Sequence, residues 1–300
     1  MRTRSHRSRA AVAVVSAALL GVAGCDAAGG ASPSPGGTQA KAKPSAPPPP
    51  AWDSSPASMA AVGDSITRGF DACSVLSDCP EVSWATGTET DVNSLAVRLL
   101  GASGAAARSW NYAATGARMA DLPAQMAKAA VRRPALVTVM AGANDACRSS
   151  VAAMTSVADF RASFEESLKT LRRAVPRSQV YVTSVPDLKR LWSQGKGNAL
   201  GQQVWKLGIC PSMLADADAV DAVATARRDE VRGRVEAYNS VLKEVCATDR
   251  LCRFDGGAVF DYAFGAAQLS PWDFFHPSRD GQARLAEIAY RGVTGKKAVT

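Results

Sequence analysis

Histidine is scarce in this chain of 300 residues, which contains two, His6 and His276. The cysteines include no Cys-x-x-Cys pair, a spacing that is typical of structural zinc sites. A single histidine beyond the N-terminal segment, without paired cysteines, offers too few of the ligands that zinc prefers. The sequence therefore predicts a protein that holds neither a metal ion nor another cofactor.

The chain also lacks a dense basic stripe. Its formal charge is +8, but four of the positive charges are arginines within the first nine residues. The other basic residues are scattered among acids, as in residues 227–230, "RRDE", and do not alternate with aromatic residues. Because nucleic-acid-binding proteins concentrate basic charge on one face, this pattern argues against a nucleic acid as partner.

Long apolar runs are absent as well, since none reaches the ~20 residues that a membrane-spanning helix needs. Residues 10–24 are apolar, follow four arginines and end at Cys25, which is typical of a secretory signal. The last four letters, "VAGC", resemble the lipobox of bacterial lipoproteins; signal cleavage beside a chance cysteine is the alternative. We expect residues 1–25 to form a lipoprotein-type signal, and the exported chain to be anchored to a membrane through a lipid on Cys25, or secreted.

The remaining sequence changes composition once. Residues 26–56 consist mostly of Gly, Ala, Ser and Pro. With few large apolar side chains to offset the entropy of ordering, we expect them to form a disordered tether. Residues 57–300 contain no second break and are long enough for one domain with a substantial core, which we expect to be monomeric.

The predicted domain contains six cysteines, which fits an exported protein. They are Cys73, Cys79, Cys147, Cys210, Cys246 and Cys252. Six cysteines allow fifteen pairings, and the sequence does not choose between them. The short spacings 73–79 and 246–252 favour two local loops, which would leave Cys147 to pair with Cys210.

Apolar runs and helical periodicities alternate along the domain. The runs predict strands at residues 59–62, 109–113, 135–140, 179–185 and 251–254. The periodicities predict helices at residues 95–100, 121–131, 156–175, 231–245 and 285–289. We expect Thr90 or Asp91 to cap the first helix, and residues 186–225 to be largely irregular. This alternation is typical of a parallel sheet that is covered by helices on both faces.

In such a fold the functional site lies at the carboxyl ends of the strands. Glycine-containing breaks follow the first three predicted strands, at residues 63–65, 115–116 and 142–145, and should converge on one crevice. A serine needs a base to become a nucleophile, and His276 follows Asp273 at a spacing that one turn can hold. A surface histidine near an unrelated aspartate is the alternative interpretation of that pair alone.

Taken in order, "GDSIT", "NYAATG", "GAND" and "DFFHP" resemble the four sequence blocks of the SGNH, or GDSL, hydrolase family. The blocks span residues 63–277, nearly the whole predicted domain. The resemblance implies a single-domain α/β protein, a three-layer α/β/α sandwich with a central parallel, flavodoxin-like sheet. One departure is Ile66, where the family usually has leucine. Thr67 stands where the Gly-x-Ser-x-Gly elbow of α/β-hydrolases would have its second glycine.

By this resemblance, Ser65 is the nucleophile, His276 the general base and Asp273 the residue that orients the imidazole. The backbone N–H groups of Ser65 and Gly116 and the side-chain amide of Asn144 would form the oxyanion hole. The acids of the blocks, Asp64 and Asp145, would hydrogen-bond to loops without a chemical role.

The resemblance implies an extracytoplasmic serine esterase or lipase that cleaves lipid or small acyl esters through an acyl-enzyme. The context of "GAND" and "DFFHPS" is similar to the lipase and phospholipase-B-like branches. Two alternatives remain open: a polysaccharide deacetylase with the same site, and a surface binding module on an inactive scaffold. Residues 186–225 would form either a wall of the acyl cleft or a satellite core beneath a long loop.

Overall fold

The computed structural model describes residues 51–295. The predicted signal, the lipid on Cys25 and most of the predicted tether lie outside these residues. Five strands of the described chain form one parallel sheet in the order β2-β1-β3-β4-β5. The strands are β1 (Met59–Gly63), β2 (Ser109–Asn111), β3 (Leu136–Met140), β4 (Gln179–Val182) and β5 (Cys252–Phe254). The predicted parallel sheet is therefore confirmed, with β3 at its centre.

Helices flank this sheet. They are α1 (Leu95–Arg108), α2 (Leu122–Val131), α3 (Ala143–Ala146), α4 (Val157–Ala174), α5 (Leu188–Gly195), α6 (Ala199–Trp205), α7 (Pro211–Leu214), α8 (Ala222–Ala247), α9 (Ala258–Asp261) and α10 (Arg279–Thr294). Short 3-10 helices occupy Pro80–Val82, Met119–Asp121, Val151–Ala153 and Ala266–Gln268.

Both faces of the sheet are covered. Every residue of β1, β3 and β4 is buried, and neighbouring residues of a strand point to opposite faces. Helix α4 packs between α2 and α8, and α1 packs against α10. The α/β class and its covered central sheet agree with the sequence prediction.

The predicted cap of α1 is wrong. Ser94 caps this helix, and its Oγ accepts a hydrogen bond from the backbone N–H of Val97 at 3.2 Å. Asp91 instead forms an ion pair with Arg279. Ser94 immediately precedes the first helical turn, where a side-chain oxygen reaches the exposed N–H groups. A non-helical Gly101 at φ 74° kinks α1 just after the predicted residues 95–100, and a second helical stretch then runs to Arg108.

Residues 186–225 are helical where irregular structure was expected. They contain α5, α6, α7 and the start of α8. The side chains of Asp187, Asn198 and Asp221 cap three of these helices. Helices α5 to α7 are each at most eight residues long, too short for a helical periodicity to stand out in the sequence.

A buried arginine of α8 holds this segment in place. Arg228 is 1 % exposed, and its guanidinium lies 4.0 Å from the centre of the Trp192 ring. It donates hydrogen bonds to the backbone carbonyls of Met213, Asp216 and Ala219. Several carbonyl acceptors offset the cost of burying the charge, so one side chain organises the turn between α7 and α8.

The packed chain begins before Ala57. The indole Nε1 of Trp52 donates to the backbone carbonyl of Val293 at 2.9 Å, and Arg253 lies 4.2 Å from the centre of the indole ring. Pro56 is buried. Trp52, which composition assigns to the tether, therefore packs against the last helix, because its side chain supplies the apolar area and the donor that the average composition conceals.

Three disulfides join Cys73 to Cys79, Cys147 to Cys210 and Cys246 to Cys252. This confirms the pairing that the short spacings favoured. The second bond ties the end of α3 to the start of α7, which are distant in sequence. Of the helices within residues 51–295, none combines the length and apolar character needed to cross a bilayer.

Candidate active site

Loops that follow β1, β2 and β3 meet at the carboxyl edge of the sheet. They bring Ser65, Gly116 and Asn144 to one cavity of about 180 Å³, which His276 also lines. The structure therefore brings together the predicted nucleophile, base and oxyanion donors, as the convergence of parallel strands requires.

The turn that carries Ser65 needs a glycine at its start. Gly63 has φ 147°, and a Cβ there would lie 2.0 Å from the carbonyl oxygen of Met140 on the neighbouring strand. The side chain of Gln125 bonds to both the N–H and the carbonyl of Gly63, at 2.7 and 3.0 Å. Asp64 Oδ1 accepts from the N–H of Ile66 at 3.0 Å. These contacts hold the chain in the turn that presents Ser65.

Ser65, His276 and Asp273 are joined by two successive hydrogen bonds. Ser65 Oγ lies 3.0 Å from His276 Nε2, and His276 Nδ1 lies 2.5 Å from Asp273 Oδ2. Because a carboxylate only accepts, Nδ1 carries a proton and Nε2 of the neutral imidazole is left to accept from the serine hydroxyl. The pair lies within one turn, as the spacing predicts.

Asp273 is completely buried and well supplied with donors. Its Oδ1 accepts from the backbone N–H groups of Phe275 and His276, at 3.0 and 2.9 Å. Its backbone carbonyl accepts from Trp205 Nε1 at 2.6 Å, which connects the histidine loop to α6. Phe274, which lies between Asp273 and Phe275 in the chain, adopts a left-handed φ of 49°. Packing on α6 therefore supports a turn that the local sequence disfavours.

Burial and charge act in opposite directions on this pair. Burial favours a raised pKa for Asp273, but the charge and hydrogen bond of His276, with two backbone N–H donors, hold that pKa below its ordinary value. Burial favours a lowered pKa for His276, but the Asp273 carboxylate, assisted by Asp71 and Asp64, raises it above its ordinary value. The site thus stabilises an imidazolium.

The three predicted oxyanion donors belong to Ser65, Gly116 and Asn144, which all line the cavity. Gly116 has φ 80°, and nothing lies within 4 Å of where a Cβ would be. Asn144 Nδ2 donates to the carbonyl of Ala117 at 3.0 Å, which orients the amide and leaves its second hydrogen for a ligand. Across the described chain, the backbone N–H groups of Ser65 and Gly116 donate to no protein acceptor.

The two acids of the glycine-containing blocks lie beneath this site. Asp64 is buried, which raises its pKa to about 7. Asp145 is also buried, with a raised pKa, and its Oδ2 accepts from the N–H of Met119 at 2.8 Å. Asp64 bonds within its own turn, to the N–H of Ile66, and Asp145 bonds to the neighbouring loop at Met119, so each shapes a part of the site.

Sequence reasoning missed Gln282 and Asp71. From α10, Gln282 donates to the carbonyl of Ile66 at 2.8 Å and accepts from the N–H of Trp84 at 2.9 Å. One carboxylate oxygen of Asp71, one carboxylate oxygen of Asp273 and one imidazole nitrogen of His276 all lie within 4.8 Å of one another. No motif marks either residue; the only signal for Asp71 is its place just before Cys73, where a disulfide-closed loop begins.

The helices of residues 186–225 contribute to the core and to the cavity. Trp192, Trp205 and Leu214 belong to the main hydrophobic core. The cavity is lined by apolar side chains of this segment, Leu188, Leu191 and Ile209. The segment is therefore both a part of the core and a wall of the cleft.

The sequence matches the family model described as GDSL-like lipase/acylhydrolase over residues 59–289. No curated protein sequence matches significantly. Among solved structures, the chain is similar to a protein described as a GDSL-like lipase from Parabacteroides merdae, with 16% identity and a TM-score of 0.48 over 80% of this chain and 95% of that one. It is also similar to an extracellular lipase from Streptomyces rimosus, with 18% identity and a TM-score of 0.46 over 79% of this chain and 99% of that one.

A phospholipase A1 from Streptomyces albidoflavus is similar too, with 18% identity and a TM-score of 0.44 over 80% of this chain and all of that one. The family match covers the whole sheet and every loop of the candidate site. The resemblance of the four sequence blocks is thereby confirmed. The chain belongs to the GDSL-like lipase/acylhydrolase family, a family of ester hydrolases.

Proposed function

We propose that this protein is an exported serine esterase that hydrolyses carboxylic esters of apolar acyl chains through an acyl-enzyme on Ser65. The observation that carries this proposal is the line from Ser65 Oγ through His276 to the buried Asp273. A scaffold kept for binding alone would have no use for a base aligned with a serine.

In the proposed reaction, His276 Nε2 takes the proton of Ser65 as Oγ attacks the ester carbonyl. Asp273 accepts from Nδ1–H throughout and stabilises the imidazolium. The N–H groups of Ser65 and Gly116 and the amide of Asn144 bind the oxyanion as it forms. The imidazolium then protonates the leaving alkoxide, and the same histidine activates the water that releases the acid.

The lining of the cavity supports an acyl chain as the bound group. Beside the polar residues, the walls consist largely of apolar side chains, namely Ile66, Phe70, Leu188, Leu191, Ile209 and Phe275. Burying an apolar chain against such walls contributes ~0.8 kcal/mol for each methylene. A polysaccharide deacetylase would need polar partners for sugar hydroxyls, so lipid or small acyl esters are the substrates that this lining favours.

Export is supported by the three disulfides, because such bonds persist in oxidising compartments. We further propose that the lipid-anchored form arises by acylation of Cys25. Expression of the full chain with a radiolabelled fatty acid tests this: label should enter the wild type and be lost in Cys25→Ser. Equal labelling of both would exclude acylation at this cysteine.

The nucleophile is tested with a fluorophosphonate probe and a series of esters. The wild type should be labelled by the probe, and Ser65→Ala should lose both labelling and turnover while it stays folded. Ser149→Ala, at an exposed position outside the cavity, is the matched control and should retain both. Labelling of Ser65→Ala at the wild-type rate would refute the assignment, and a folded wild type without labelling would favour a binding module.

Acetyl, butyryl and longer acyl esters of one alcohol separate the remaining candidates. The apolar lining predicts that kcat/KM rises from acetyl to butyryl, since more methylenes are buried in the transition state. A rate that falls steeply beyond acetyl would instead indicate a deacetylase.

A further inference from the structure

A second buried carboxylate, that of Asp71, lies next to the proposed triad of Ser65, His276 and Asp273. Asp71 has no exposed surface and lies just before the loop that the Cys73–Cys79 disulfide closes. Its backbone has a left-handed φ of 58°, and its N–H donates to the carbonyl of Ser77 at 3.0 Å. Its Oδ1 accepts from the N–H of Leu76. These bonds hold the carboxylate at one place inside the protein.

The loop of Asp71 is joined to the loop of the histidine. Ser270 Oγ donates to the Asp71 carbonyl at 2.7 Å. The N–H of Ser270 donates to the carbonyl of His276 at 2.7 Å, and its own carbonyl accepts from the N–H of Phe274 at 2.9 Å. The ring of Phe70 lies 5.0 Å from the imidazole centre. The two loops therefore hold Asp71, Asp273 and His276 in a fixed relation.

The second carboxylate oxygen of Asp71 has no hydrogen-bond donor in the part of the chain that the structure describes. Within the described residues, Oδ2 has no hydrogen-bond partner, although the side chain is fully buried. A buried charge without donors is costly unless an opposite charge lies nearby. The Asp273 carboxylate and the His276 imidazole are the ionisable groups within reach, and only the imidazole can become positive.

We propose that Asp71 is a positioning residue of the catalytic triad: its buried carboxylate, next to Asp273, adds a second negative charge that stabilises the His276 imidazolium while the ester is cleaved. This inference rests on the proposed function of Ser65 and His276. Asp71 makes no contact with the reacting atoms and exchanges no proton with substrate. It acts through the imidazole, whose proton still passes from Ser65 to the leaving group.

The surrounding charges are consistent with this role. Asp71 faces Asp273 and His276, and burial, followed by repulsion from Asp273, raises its pKa to about 6. His276 faces Asp273, Asp71 and Asp64, and all three carboxylates favour its charged form. Asp71 is therefore ionised at neutral pH, where an imidazolium must form during the reaction, and repulsion between the two carboxylates is relieved when it does.

Asp71→Asn keeps the size of the side chain and removes its charge. The full chain, labelled with ¹⁵N-histidine, gives a titration of the His276 ring, which comparison with a His6→Gln chain assigns. We expect the His276 pKa and the acidic limit of kcat/KM to move together to lower pH in Asp71→Asn, with a lower kcat at pH 8. Asp255→Asn, which removes another fully buried carboxylate, should move neither.

A structural role alone would lower the melting temperature of Asp71→Asn without moving the histidine titration, and that result would overturn the proposal. Because the ring titration needs no substrate, it also separates this proposal from that of ester hydrolysis. If Asp71→Asn does not fold, the wild-type titration decides. The His276 signal should show a second inflection near pH 6, from proton uptake by the adjacent carboxyl pair, and a single inflection would refute the role.

Discussion

Asn144→Ala tests the oxyanion hole through a single donor. The amide of Asn144 is oriented by the carbonyl of Ala117, and its second hydrogen is one of three proposed oxyanion donors. Losing one such donor typically raises the barrier by ~3 kcal/mol, which lowers kcat by about 100-fold at 25 °C. KM should change little, because the neutral carbonyl of the substrate gains much less from the donor than the oxyanion does.

The assay is steady-state hydrolysis of a butyryl ester, combined with measurement of the acylation burst. The burst rate should fall with kcat, because the oxyanion forms when Ser65 attacks. Asn198→Ala is the control: it removes the cap of α6, costs ~1 kcal/mol of stability and should leave kcat within a few-fold of wild type. A folded Asn144→Ala enzyme with kcat within about threefold of wild type would refute the assignment of this amide.

Three further predictions concern pH and stability. Because only a neutral His276 accepts a proton and its pKa is raised, the acidic limit of kcat/KM should lie above ~6.5, the ordinary value; a midpoint below 6 would contradict this. Gly63→Ala should destabilise the fold by at least ~1–3 kcal/mol in urea unfolding, since its Cβ meets the Met140 carbonyl; unchanged stability would refute the close approach. Replacing both Cys147 and Cys210 by alanine should cost ~4 kcal/mol because that disulfide closes a long loop, against ~2 kcal/mol for the 246–252 pair; equal losses would contradict the loop-closure argument.

Most of the sheet could be predicted because its three inner strands, β1, β3 and β4, are buried on both faces. Such strands appear as short apolar runs, and each of the five predicted runs overlaps a strand of the structure. The short helices of residues 186–225 could not be recognised in this way. Their lengths hide any periodicity, and contacts such as that of Arg228 with Trp192 depend on chain that is distant in sequence.

The same distinction applies to the candidate site. Ser65, Gly116 and Asn144 could be predicted because each follows a strand, and parallel strands end at one edge of the sheet. His276 could be predicted because the domain offers no other histidine. Their catalytic roles remain proposals. Asp71 could not be predicted, because its meaning depends on its distance from Asp273, about two hundred residues away along the chain.

The linear sequence was sufficient for the α/β class, for the family and for the convergence of Ser65, Gly116 and Asn144 on one cleft, and its short cysteine spacings favoured the disulfide pairs that the structure contains. These features depend on local composition, on spacing and on the order of motifs along the chain. Tertiary packing decided which buried carboxylates lie close enough to His276 to affect the charge on its imidazole. Whether a carboxylate is a loop contact or a second charge on an imidazole depends on burial and on distances of a few ångströms. Both arise only when the Asp71 loop, the histidine loop and α6 are packed together.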